Sequence, residues 1–190
     1  MPGTLFIVLV VLVVPVFFLT LFLVSNYHRL VAQRLRSQIA FSAIDVQLKR
    51  RYDLIPNLVE TAKDFLQPER GALEALIAAC NAASSASDRA SQNPGNAAAM
   101  KELAASESVL TASLRRLFAL AEADPDLRAN QTMAGWREEL TSAEHNAAFA
   151  RQAYHDAVLS YNTTRATFPT NLMAGLLNFG PAEWFVLEGV

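Results

Sequence analysis

A single cysteine, Cys80, rules out an internal disulfide framework and any metal site built from several cysteines. Histidine is nearly as scarce, with only His28, His145 and His155. Ser142 and Gln152 stand where a Glu-x-x-His pair would need its glutamates, so the motif of carboxylate metal sites in helical bundles is missing. His145 and His155 therefore read as helix-surface side chains. Neither G-x-G-x-x-G nor G-x-x-x-x-G-K occurs, which argues against nucleotide binding. Neither sign of charge dominates: 16 Lys+Arg face 18 Asp+Glu for a net charge of −2, so nucleic acid has no basic face to grip. Without a nucleophile, base or metal cluster, the chain reads as non-enzymatic, with no catalytic, cofactor-binding or metal-binding residues and no cofactor.

Charge is also absent locally. All the Lys, Arg, Asp and Glu residues fall after Asn26, and Thr4 to Val24 is a 21-residue run without an ionisable side chain. As a helix that run spans roughly 31 Å, the thickness of a bilayer's hydrocarbon core. Met1 to Thr4 offers no basic start for a cleaved signal peptide, so the run reads as a retained anchor, bent at Pro15. His28, Arg29, Arg34 and Arg36 follow it with no acidic residue before Asp45, which predicts a cytoplasmic body by the positive-inside bias. Arg29, Arg34 and Arg36 form a membrane-proximal basic set that can touch anionic headgroups.

What is present is helical material. Glycine is sparse between Asn26 and Phe168, alanine is abundant, and no alternating β-branched run exists. Four segments are expected: Tyr27 to Leu66, interrupted by Pro56; Pro68 to Ala83; Asn96 to Glu122; and Asn130 to Phe168, with Ser84 to Asn96 as a linker. The last carries Met133, Trp136, Leu140, Ala143, Ala147, Ala150, Tyr154, Ala157, Tyr161, Thr164 and Phe168 at steps of three and four, a coiled-coil period. Similar stripes run through Phe41, Ile44, Leu48, Arg51, Ile55, Leu58, Ala62 and Phe65, and through Met100, Leu103, Glu107, Leu110, Leu114, Leu117 and Ala121.

Each of these last two stripes has one charged intruder. In an up-and-down bundle Arg51 and Glu107 lie roughly 22 to 24 Å below the same end. Either they meet as a buried ion pair that sets register, or the stripes rotate and both side chains reach water. Beyond Pro169 the tail is dense in apolar side chains, namely Leu172, Met173, Leu176, Leu177, Phe179, Trp184 and Phe185. Three covers are open to them: the bilayer interface with Trp184 at headgroup depth, the bundle's own side, or a neighbouring subunit.

The stretch Ile44 to Thr61, reading IDVQLKRRYDLIPNLVET, resembles the signature of the bacterial LemA family through Asp45, Lys49, Arg50, Arg51, Asp53, Pro56 and Asn57. Leu117 to Asn130, reading LFALAEADPDLRAN, and Tyr161-Asn162 with Phe168-Pro169 extend the likeness. The resemblance implies a bacterial inner-membrane protein with one N-terminal span, a short outer end, a cytoplasmic helical bundle and no established catalytic residues. It also implies associations with envelope maintenance, membrane proteases and, in a magnetosome relative, membrane-compartment formation.

The expected architecture is all-α: a transmembrane anchor over residues 1–25, an elongated antiparallel helical bundle over 26–168 and an apolar tail over 169–190. The expected role is a single-pass scaffold at the inner membrane, partnered by the lipid bilayer and by further copies of itself in a homo-oligomer. The alternative is an adaptor that presents Lys49 to Asn57 to a membrane protease or another membrane protein.

Overall fold

The structure, a computed structural model, describes residues 2–187. It contains one long apolar N-terminal helix that leads into a helical bundle, with no strand among the described residues. Helix α1 runs Pro2–Ala62, followed by a 3-10 turn at Gln67–Glu69, α2 over Arg70–Gln92, α3 over Ala97–Ala123, the short α4 at Pro125–Arg128, α5 over Gln131–Ala166 and α6 over Thr170–Leu176. Among the described residues, the part of α1 long and apolar enough to cross a membrane is unburied. The apolar run and the first bundle helix are thus one continuous rod.

Pro56 does not interrupt that rod, contrary to the sequence expectation. A proline lacks the N–H that would bond the carbonyl four residues back, here that of Tyr52. The Cys80 thiol of α2 donates to this carbonyl at 3.7 Å, so the group freed by Pro56 finds a partner across the helix interface.

The expected linker, Ser84 to Asn96, is also corrected, because α2 continues to Gln92. Ala83, Ala86, Ser87 and Ala90 are buried, and Ser87 donates to Asp45 at 2.8 Å. Small residues that read as loop material instead let α2 pack closely, and tertiary contact overrides composition. What remains is the turn Asn93 to Asn96, where Gly95 has φ +87° and a Cβ would stand 3.0 Å from that of Ala182. Asn96 caps α3 and Asn130 caps α5, each accepting from the backbone N–H three residues on. Asp124 accepts from Asp126 and Leu127 and opens α4 on Pro125.

Contacts fix an antiparallel order. Cys80 meets Tyr52 and Ser87 meets Asp45 between α2 and α1, while Arg89 pairs with Glu102 across the α2–α3 turn. Helix α5 follows α1 from Trp136 at Thr61, through Ser160 at Gln33, to the Asn26 level, where Thr170 bonds. That alignment is about 50 Å long. The main core takes the three stripes with small shifts: Leu66 replaces the expected Phe65, Val158 replaces Ala157, and Phe168 stands exposed. A smaller cluster of Leu30, Tyr161 and Ala174 holds α6 against the lower end of α1.

Candidate functional site

Midway along the bundle lies a polar centre. Arg51 donates through Nη1 to the Glu107 carboxylate at 3.0 Å and through Nη2 to the Thr111 hydroxyl at 2.9 Å. The Tyr52 hydroxyl donates to the other Glu107 oxygen at 2.5 Å. Arg51 is almost fully buried and Glu107 entirely so. Burial pushes the Glu107 carboxyl above the ordinary glutamate range, against the pull of Arg51 and of the Tyr52 hydroxyl. Arg151 lies half-buried nearby, and desolvation lowers its pKa. Tyr52 and Thr111 were not singled out from the sequence: one neighbours the arginine and the other sits one helical turn beyond the glutamate.

Beside this centre, burial pushes the Cys80 thiol up to about 11. A thiol so seldom ionised at neutral pH is a poor nucleophile. In the native protein Cys80 is therefore expected to resist a thiol-disulfide reagent at neutral pH and to react fully once denaturant is added; fast native labelling would contradict this.

The tail is the second feature. Residues 179–187 run as a strap without helix or strand along the bundle, gripped by polar side chains of α5 through its own backbone. Tyr161 donates to the Gly180 carbonyl, Arg165 to that of Phe179 and Tyr154 to that of Glu183. Asn162 bonds both the N–H and the carbonyl of Ala182, and Glu183 N–H donates to the Gly95 carbonyl. Phe185 is buried under the Arg151 guanidinium. Trp184 packs edge-on against His155, whose ring bonds the Phe185 carbonyl, so neither Trp184 at headgroup depth nor His155 on a free surface describes the fold. The strap leaves a groove of about 580 Å³ against α3, lined by Met100, Ala104, Ser108 and Trp184 among others. Sequence reasoning took Tyr154 and Tyr161 as seam residues and missed their hydroxyls as tail clamps.

The other tail residues divide. Phe179 lies under Arg34 and beside Tyr27, and Met173 is half-buried, while Leu172, Leu176 and Leu177 stand exposed. The signature stretch of α1 also divides by face. Asp45 takes the Lys49 ammonium at 2.9 Å besides Ser87, and Arg51 turns inward; Arg50, Asp53, Pro56 and Asn57 are exposed. Arg29, Arg34 and Arg36 are exposed on the lower part of α1. Among the described residues no group of three His, Cys, Asp or Glu is arranged to hold a metal ion.

The family model described as LemA family matches residues 40–190. The chain belongs to the LemA family. No curated protein matches it. The LemA match covers the bundle and the strap, and begins just before the signature stretch on α1. The LemA family is not known as enzymatic. In this LemA chain the long apolar helix fits a membrane anchor.

Proposed function

We propose that this LemA-family protein is a non-enzymatic scaffold, anchored in the bacterial inner membrane by α1 with its bundle in the cytoplasm, and that it self-associates through helix faces. One observation carries the reading. Val31, Leu35, Ile39 and Val46 recur on α1 at steps of four, four and seven, and Leu35, Ile39 and Val46 are 53%, 62% and 61% exposed. Isolated surface apolar residues are ordinary, but an aligned stripe over four helical turns is the pattern that a second helix covers. Anchoring supports it further, because confinement to a membrane plane raises the effective concentration of copies and holds their helices side by side.

In mild detergent the full chain is expected to show a mass above the monomer by light scattering, and the Leu35→Glu/Ile39→Glu variant to run as a monomer with unchanged helix content. A wild-type protein that stays monomeric at every concentration sinks the reading.

A second reading, an adaptor for a membrane protease or another envelope protein, is favoured by a different face. Arg50, Asp53 and Asn57 lie exposed at steps of three and four on α1. Photo-crosslinking from Asp53 in cells separates the two: a product with a different protein supports the adaptor, and a product with a second copy supports the scaffold.

A further inference from the structure

Helix α6 sits beside α1 just past the end of its uncharged apolar run. Its Thr170 and Ala174, one turn apart, are buried against the lower end of α1, Ala174 packing with Leu30 and Thr170 donating to the Asn26 side chain at 3.4 Å. Asn26 lies two residues beyond Val24, the end of the uncharged apolar run. Away from these contacts Leu172 and Leu176 of α6 are 59% and 82% exposed, and at its two ends Phe168 in the preceding turn is 76% and the C-cap Leu177 49% exposed. Through Asn26 and Leu30 this apolar surface stands just beyond Val24, where the exposed apolar run of α1 ends.

We propose that α6 and the residues at its two ends form a second membrane contact, inserting Phe168, Leu172, Leu176 and Leu177 into the interfacial layer of the same leaflet from which α1 emerges. The proposal rests on α1 being the membrane span. Height on the rod selects lipid over a soluble partner, which would have to lie at the headgroup boundary, and charge selects lipid over a second copy, whose matching patch carries the same arginines. Charge agrees: Asn26 to Ile44 and Ala157 to Ala182 contain Arg29, Arg34, Arg36 and Arg165 and no acidic residue, which suits anionic headgroups. The short helix needs little affinity of its own, since the anchor holds it at the surface. The strap after it is pinned to α5, so α6 is held from both sides and cannot swing away from the membrane without breaking those bonds.

The test uses the full chain in phosphatidylcholine–phosphatidylglycerol vesicles, with an environment-sensitive fluorophore on Leu172→Cys or Leu176→Cys. Cys80 stays native because its burial keeps it from labelling. Phe17→Cys in the apolar run and Val109→Cys on the outer face of α3 serve as deep and dry-land references. Lipids carrying a spin label near the headgroup are expected to quench the α6 sites about twofold or more relative to Val109→Cys, whereas labels near the chain end act best on Phe17→Cys. Unquenched α6 sites beside a quenched Phe17→Cys overturn the proposal and leave the anchor intact, and a blue shift without quenching overturns it in favour of a protein cover. An unquenched Phe17→Cys removes the anchor reading and this proposal with it.

Discussion

Replacing Arg51 by Met is expected to destabilise the protein by roughly 3–5 kcal/mol at neutral pH, because the Glu107 carboxylate is then buried without its counter-charge. The loss should shrink on acidification. Burial already raises the Glu107 carboxyl in the wild type, and removing the guanidinium raises it further. A carboxyl whose pKa is higher folded than unfolded holds more protons in the folded state over the interval between the two values. Stability therefore falls as pH rises through that interval and is regained as pH falls. In the variant this slope should extend over a wider interval above the ordinary glutamate range than in the wild type. The double variant Arg51→Met/Glu107→Gln should recover most of the stability and lose the slope, since no buried charge remains at the pair. Urea denaturation of the full chain in mild detergent, followed by far-ultraviolet circular dichroism, measures all three. A loss below about 1 kcal/mol, or one that grows on acidification, would show that the pair does not carry the register of α1 against α3.

Phe185→Ala should release the strap rather than unfold the bundle. The side chain is 1% exposed, and truncating a buried phenylalanine removes about 3 kcal/mol, which converts to about a hundredfold in the docking equilibrium. The loss is local because the strap is tied on by hydrogen bonds whose partners on α5, Tyr154, Tyr161 and Asn162, can exchange the strap for water. Hydrogen exchange reads this at two amides: Ala182 N–H, bonded to Asn162, and Glu183 N–H, bonded to Gly95. Both are expected to exchange about a hundredfold faster, while amides in the middle of α3 and α5 keep their protection. Unchanged exchange at Ala182 and Glu183 would mean that the polar clamps alone hold the strap.

Much of the architecture was legible because long helices broadcast their period. The Met100 to Ala121 stripe is buried throughout, and α3 and α5 begin directly after Asn96 and Asn130, where those two segments were expected to start. The misreadings have local causes. Serine and alanine between Ser84 and Gln92 resemble linker composition, yet small side chains are what a close helix interface requires. Pro56 resembles a break, but the partner for its freed carbonyl comes from Cys80, a residue 28 positions away along the chain. The exchange of Ala157 for Val158 reflects the slow rotation of a straight helix against a seven-residue repeat, whereas Leu66 takes the place of Phe65 because α1 ends at Ala62 and its period no longer holds beyond.

By itself the sequence determined the helical class, the single long apolar run and the lateral faces that seek cover, because periodicity and charge-free length are properties of neighbours along the chain. The meeting of Arg51 with Glu107, the division of the tail between a docked strap and the exposed α6, and the polar clamps of α5 were decided only by tertiary structure. Each depends on how far helices slide and turn against one another, and side chains distant in sequence carry that information only once they touch.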